Sequence, residues 1–458
     1  MFKIGKNKGV IYWVVFVSAI SGLLFGFDTG IISGTILFIN KELQLSPFDT
    51  SLLTSAALFG ACISAVISGR IVDYCGRRHL LMFNALLFFC GALGSALSST
   101  FQLLVISRTV VGFAIGISSY VVPLYISELA PFSRRGIMVG LNQLFIVIGI
   151  FISYVVSYGF SFGDHWHLMF GVGVILAIML FIGLLLVPES PRWLMVIGRE
   201  HAAREVLEMV RMASSNIELE LFEIKESVSE QRKDWKMLLK AWLLPAMMVG
   251  FGIAAFQQLV GINVFVYYGP LIFTSIGFED VSGAVLASLG IGAVLTIFTI
   301  IGLPLIDRWG RRPLLLLGST GMTLGLLIIS MAFWFLPKET WFFKGLLLIS
   351  VTIYIASFAI SFGPIGWLMI SEMFPLRVRG LAMSLATATI WGTNMLVIST
   401  FLPLVHWLQL KGVFLLYSIL CFLSLLFVYF LVPETKKVSL EHIEANLRMG
   451  KKSRELGE

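Results

Sequence analysis

Long apolar runs alternate with short polar loops from one end of the chain to the other. Apolar runs long enough to cross a bilayer core as helices are expected at 11–39, 51–72, 79–99, 102–127, 137–160, 167–187, 242–275, 282–306, 313–336, 345–371, 380–405 and 412–432. A membrane-spanning strand needs only about ten residues, so runs of this length predict helices rather than a barrel. One hydrophilic stretch, 192–240, separates the sixth run from the seventh. Within it Ala203, Val206, Leu207 and Val210 recur at helical spacing among charged residues, which predicts short amphipathic helices. The expected architecture is an all-α membrane protein with twelve transmembrane helices. Its expected divisions are a six-helix bundle over 1–191, a cytoplasmic helical linker over 192–240, a second bundle over 241–434 and a tail over 435–458.

Composition supports this reading. Of 458 residues, 58% are hydrophobic and only 13% charged, and mean hydropathy is +0.92. Soluble domains carry about 25% charged residues. The net charge of +7 could point to nucleic acid, but the basic residues lie in short loops between spans, and no nucleic-acid partner is expected. Of the 33 Lys and Arg residues, only Lys41, Lys338, Lys344 and Lys411 fall outside if the N-terminus lies inside, and Arg108 falls within a span. This asymmetry puts both termini in the cytoplasm. The first apolar run is too long for the core of a secretory leader and lacks a small-residue cleavage site. Cys62, Cys75, Cys90 and Cys421 are scattered, with no metal or disulfide spacing.

The two halves echo one another. "GRIVDYCGRRHL" resembles "GLPLIDRWGRRPL", "SELAPFSRRG" resembles "SEMFPLRVRG", and "PESPR" resembles "PETKK". The order is the same in both halves, which marks a six-plus-six duplication. Two similar bundles can rock about a central site and expose it to each side in turn, so the duplication points to a transporter with its site near the midplane.

The motifs "GRIVDYCGRR", "RTVVGFAIG", "PESPRWL", "QQLVGINVFVYYGP", "GPIGWLMISEMFP" and "PETK" run through both halves in order. The chain resembles the sugar porter family of the major facilitator superfamily. Within it, the likeness is greatest to bacterial proton-coupled sugar symporters of the xylose–proton type and to facilitative glucose transporters. The resemblance implies the pseudo-symmetric major facilitator fold.

Asp28 sits deep in the first run, in "LLFGFDTGIIS", where an ionised carboxylate costs about 2.5–3.5 kcal/mol on insertion scales. The other charge at depth is Arg108 in "LLVISRTVVG". Counted from the outer ends of their spans, the two lie roughly 16 Å and 9 Å deep at 1.5 Å per residue, so they can meet if spans one and four adjoin. The resemblance implies that adjacency and a proton-coupling aspartate at Asp28; uniporters of the family commonly carry asparagine there. Burial favours the neutral acid and a nearby guanidinium favours the carboxylate, so a partner that moves would switch the group. The competing reading is a static ion pair that orders the helices.

Sugar hydroxyls need donors and acceptors together, which amides supply without net charge. Gln143, Gln257, Gln258 and Asn263 are amides within spans, and Gly261 can loosen the helix between the last two. By the resemblance these four bind sugar hydroxyls, Trp367 and Trp391 line the pocket with Gly363 and Asn394 beside them, and Phe25 and Tyr267 form an aromatic wall. Interfacial anchoring is the competing role for the tryptophans, and helix–helix hydrogen bonding for the amides. Three positions depart from the family pattern. Leu295 stands near a family asparagine with only Thr296 beside it, Ile390 replaces a glutamine, and "QLV" with Val260 replaces "QLS". The expected substrate is a monosaccharide, a glucose-like hexose or a pentose.

Gly69, Arg70, Asp73, Arg77 and Arg78 form the loop signature, echoed by Asp307, Arg311 and Arg312. Glu128, Arg135, Glu372 and Arg379 are their expected partners in a cytoplasmic latch of salt bridges, within and between the bundles, that favours the outward-open state. Positive-inside topogenesis accounts for some of these arginines but not for Asp73 or the glutamates. Gly363, Pro364 and Gly366 predict a bendable helix in span ten. The function expected is proton-coupled monosaccharide import by alternating access, with monosaccharide, protons and the lipid bilayer of a cell (plasma or bacterial inner) membrane as partners, and a monomeric state. A proton-independent facilitator is the nearest alternative; a drug–proton antiporter and a non-transporting sugar sensor are more remote. No nucleotide loop, nucleophile set or metal spacing is present, so neither an enzyme nor a cofactor is expected.

Overall fold

The computed structural model describes residues 10–131, 135–163, 165–211, 217–229, 238, 240–275, 281–337, 340–375, 378–436, 438 and 440–457. The first six spans are α1 (Val10–Leu43), α2 (Pro47–Cys75), α3 (Arg77–Ala96), α4 (Phe101–Leu129), α5 (Arg135–Phe160) and α6 (Trp166–Leu185). Three short helices follow, α7 (Pro191–Val196), α8 (Glu200–Val210) and α9 (Ile217–Ser229). The α8 helix buries Ala203, Val206, Leu207 and Val210, the face its periodicity predicts. The rest comprises α10 (Leu244–Leu259), α11 (Ile262–Ser275), α12 (Val281–Trp309), α13 (Arg311–Phe335), α14 (Trp341–Ile360), α15 (Phe362–Met373), α16 (Arg379–Leu431) and α17 (Leu440–Arg448).

Eleven stretches of the described chain are long and apolar enough to cross a membrane. The difference from twelve lies in α16, where Gln409 has φ 57° and ψ 169° and two spans join through that kink. Two other spans are each built from two helices. The seventh breaks between α10 and α11 at Gly261, whose φ of 87° suits a residue without Cβ. The tenth breaks between α14 and α15 at Ser361 (φ −122°, ψ −98°), two residues before the Gly363–Pro364 pair expected to bend it. Pro364 thus falls in the first turn of α15, where a missing N–H costs no helical bond.

The duplicated loops repeat one geometry. Gly76 and Gly310 have φ 85° and 97°, and each N–H closes the helix before it, onto Val72 O and Ile306 O at 3.1 Å. Only glycine turns there without strain, which explains "CGRR" and "WGRR".

Within the first bundle α1 packs on α5 along a stripe of glycines four residues apart, Gly22, Gly26, Gly30 and Gly34. A Cβ at Gly26 would run into the backbone carbonyl of Ile146, and one at Gly30 into the Ser153 hydroxyl. Small residues allow this approach, and dispersion then holds the helices where no hydrophobic drive separates helix from lipid. The two bundles meet along α2–α16, α5–α12 and α1–α11, which places α1, α5, α10, α11, α15 and α16 around the centre.

Candidate functional site

The charge in α1 has its partner. Asp28 and Arg108 are buried, and Arg108 Nη1 donates to Asp28 Oδ1 across the α1–α4 contact. The contact uses one oxygen and one nitrogen. Asp28 Oδ2 and Arg108 Nε and Nη2 are buried without a partner among the described residues. The guanidinium also lies 5.7 Å from the ring centre of Phe170 in α6. A buried pair repays its desolvation only when further hydrogen bonds satisfy both groups, so this half-satisfied one stabilises the fold weakly.

One residue along α1, Thr29 faces a cavity of about 70 Å³ at the centre of the molecule. Every residue named above for substrate contact lines it: Phe25, Gln143, Gln257, Gln258, Asn263, Tyr267, Gly363, Trp367, Trp391 and Asn394. The broken spans bring these together. Gln257 Nε2 donates to Phe362 O at 3.0 Å and Gly363 O at 3.3 Å, so α10 holds the carbonyls at the start of α15. Asn263 Nδ2 donates to Gln258 Oε1 at 2.7 Å across the Gly261 break. Gln257, Gln258 and Asn263 could not all share one narrow stripe of a continuous helix, and the break at Gly261 lets all three line the cavity. Tyr354 donates to Val260 O at 2.8 Å and satisfies a carbonyl at the break.

Three polar atoms of the cavity residues are buried without a partner among the described residues: Gln257 Oε1, Asn394 Oδ1 and Trp391 Nε1. Buried polar groups are normally paired, so two acceptors and one donor left open in one cavity suit a ligand with several hydroxyls. Trp391 meets Phe25 edge-on at 5.2 Å and supplies an aromatic face across the two bundles. The departures at Leu295 and Ile390 also line the cavity, so its wall there is apolar.

Hydrogen bonds, most of them between the bundles, form two groups flanking the cavity. On one side Tyr154 donates to Val266 O at 2.8 Å, and Tyr268 bonds the Thr54 hydroxyl at 2.7 Å and Ile398 O at 3.2 Å. On the side of the arginine loops, Ser384 donates to Ala65 O at 2.8 Å and packs on Gly69. Tyr120 donates to Gly380 O at 3.4 Å nearby.

The arginine loops form the same cluster twice. Arg77 Nη2 donates to Glu128 Oε1 at 2.8 Å, and Ser190 donates to the other oxygen of Glu128. Arg311 Nη2 donates to Glu372 Oε1 at 2.8 Å, and Thr435 to Glu372 Oε2 at 2.6 Å. Asp73 and Asp307 lie 3.8 Å and 3.5 Å from Arg77 and Arg311. Each of these ion pairs stays within one bundle. Arg78 and Arg312 differ from the reading of a carboxylate latch: their guanidiniums donate to Leu184 O and Tyr429 O, carbonyls near the ends of α6 and α16. Arg379 donates to Phe374 O, Arg70 is exposed, and the Arg135 side chain lies outside the described residues. Glu189 and Glu434 were missed. Each carboxylate accepts the first backbone N–H groups of the helix after the glycine turn, those of Arg77 and Arg78 or of Arg311 and Arg312. A carboxylate suits a helix N-terminus, and the paired "PES" and "PET" motifs carried the signal.

Comparison with known proteins decides the family. The profile of the family described as "Sugar (and other) transporter" matches residues 14–447. The chain belongs to the sugar porters of the major facilitator superfamily. This porter is 41% identical over 438 residues to the D-xylose transporter of Levilactobacillus brevis, covering 95% of each. It is 38% identical to the galactose-proton symporter of Escherichia coli (strain K12), covering 99% of this chain and 97% of that one. Its fold superposes with TM-score 0.83 on the proton:xylose symporter bound to 6-bromo-6-deoxy-D-glucose, at 32% identity, covering 96% and 99% of the two chains. The porter is thus a multi-pass membrane protein with the twelve-span fold, of a family of transporters rather than enzymes.

Proposed function

We propose that this porter couples the entry of a monosaccharide, a glucose-like hexose or a pentose, to the entry of a proton. The observation that carries the reading is the Asp28–Arg108 pair beside the amide-lined cavity, with Phe25 and Thr29 of the same helix in the cavity wall. Relatives named for proton-coupled transport of galactose and arabinose support it. Sugar hydroxyls engage Gln143, Gln257, Gln258, Asn263 and Asn394, and one sugar face packs on Trp391 and Trp367. As the two bundles rock, a shift of α1 against α4 within the first bundle changes the Asp28–Arg108 distance. When Arg108 withdraws, Asp28 takes a proton on its unbonded oxygen, and the neutral acid crosses without the desolvation penalty of a charge.

In this reading residues 1–191 and 241–434 are the two moving bundles, 192–240 links them and 435–458 is the tail. Both termini and the arginine loops are cytoplasmic, and the porter works as a monomer in the cell membrane. The repeated Arg–Glu–hydroxyl clusters keep each bundle rigid at that face, and α2–α16 contacts form the gate between them. The test is accumulation of labelled sugar by purified porter in liposomes under an imposed pH gradient. Uptake above equilibrium that a protonophore abolishes is expected; uptake indifferent to the gradient overturns the coupling.

A further inference from the structure

The terminal segment after α17 does not trail away. Gly450 turns the chain (φ 75°), a short 3-10 turn forms at Ser453–Glu455, and Leu456 is fully buried. Asn446 Nδ2 donates to Leu456 O at 3.1 Å and ties the end back to α17. The fold sets Arg454 5.7 Å from the ring centre of Tyr429, near the end of α16. Arg312, from the start of α13, lies 5.9 Å from the same ring and donates to Tyr429 O at 2.9 Å.

Two guanidiniums sharing one ring repel each other, and four other arginines on this face meet carboxylates. Arg77 pairs with Glu128, Arg311 with Glu372, Arg211 with Glu220 and Arg448 with Glu444. Among the described residues, no carboxylate oxygen lies within 4.0 Å of the Arg312 or Arg454 guanidinium. Glu434, nearby, is already occupied by the backbone N–H groups of Arg311, Arg312 and Lys436. Arg312 Nε is buried and has no partner among the described residues. Lys436 adds a third cation beside Arg308 O at 2.6 Å. Around them Tyr429, Phe430 and Trp309 are exposed on the lipid-facing side, as aromatic residues are at a membrane–water boundary.

We propose that Arg312 and Arg454, gathered at Tyr429, bind the phosphate of an anionic phospholipid in the cytoplasmic leaflet. Guanidiniums present several donors to phosphate oxygens, and this leaflet carries the negative lipids. The acyl chains lie along the exposed apolar flank of the last span, Ile419, Phe422 and Leu423. Because Arg454 reaches the site only while the terminal turn is docked, the lipid also holds that turn in place. The leaflet assignment rests on the orientation proposed above.

The test uses the full chain in neutral detergent, titrated with phosphatidylglycerol, phosphatidylcholine or inorganic phosphate and followed by native mass spectrometry. Phosphatidylglycerol is expected to bind in preference to phosphatidylcholine and to resist displacement by inorganic phosphate. Arg454→Gln, an exposed position that leaves the bundle intact, should weaken it about fivefold, from about 1 kcal/mol per basic residue near a membrane surface. Arg312→Gln combined with Arg454→Gln should remove the preference. Unchanged affinity in Arg454→Gln, or equal occupancy by inorganic phosphate, overturns the proposal. Binding in micelles does not depend on orientation, which is read separately. With native cysteines replaced by serine, a cysteine at Lys452 should resist an impermeant maleimide in intact cells; labelling from outside would overturn the leaflet assignment alone.

Discussion

Arg108 on α4 reaches Asp28 on α1 through a single guanidinium nitrogen, which leaves the second carboxylate oxygen without a partner among the described residues. A bidentate pair would occupy both oxygens, whereas in the proposed coupling the free one takes the proton. Asp28→Asn retains a side-chain oxygen for Arg108 but no titratable acid. It should abolish proton-driven accumulation and keep exchange of labelled for unlabelled sugar. Accumulation at the parental level in this variant would show that the proton binds elsewhere.

The two residues should also be energetically coupled. Arg108→Gln strands the acid without its partner, and the Asp28→Asn/Arg108→Gln double variant removes both charges. A double-mutant cycle on thermal denaturation in detergent should give a coupling of about 1–3 kcal/mol, within the range for residues in contact. Additive effects would mean the pair is not maintained in solution.

Gln257 Nε2 donates to Phe362 O and Gly363 O, and its oxygen is buried without a partner among the described residues. Gln257→Leu should weaken sugar binding by about 1–3 kcal/mol, the cost of leaving buried polar groups unpaired, or about five- to 150-fold in Kd. Isothermal titration with glucose and xylose reads this directly, and binding at parental strength would remove Gln257 from the site.

The glycine stripe on α1 gives a prediction independent of chemistry. Gly26→Ala sets a methyl group against the backbone of Ile146, which can yield only if the helices separate. Its melting temperature should fall well below that of the parent, while Gly159→Ala, whose Cβ would meet nothing within 4 Å, should leave it unchanged. Equal effects would argue against the α1–α5 packing.

At the α2–α16 contact proposed as the gate, Gly69 leaves room for Ser384, and Cys62 lies on the same helix with its thiol 3.7 Å from Ala388 O. Gly69→Val should wedge α2 from α16 and raise the rate of Cys62 alkylation several-fold. An unchanged rate would place the gate elsewhere.

Much of this was legible in the sequence because lipid imposes simple rules. Apolar runs gave the spans, and the rarity of charge at depth singled out Asp28 and Arg108. Pairing them required only that α1 and α4 adjoin, which they do. The amides of the central cavity were legible through their chemical type. What was not legible lies in irregular backbone. Hydropathy does not register the break at Ser361, which sits in unbroken apolar sequence, whereas the kink at Gln409 falls in the polar gap 406–411 expected between two spans. Glu189 and Glu434 were marked only by the paired "PES" and "PET" motifs, and their partners are backbone N–H groups rather than side chains. Arg78 and Arg312 looked like salt-bridge partners for the same reason, although carbonyls at helix ends hold them.

The central claim is that Asp28 links sugar movement to proton movement. Its most direct measurement records the pH inside liposomes containing the purified porter when sugar is added outside with no gradient imposed. The account predicts that glucose or xylose drives protons inward and acidifies the lumen, and that Asp28→Asn moves sugar with no change in lumenal pH. Sugar entry through the parent porter without lumenal acidification would contradict it.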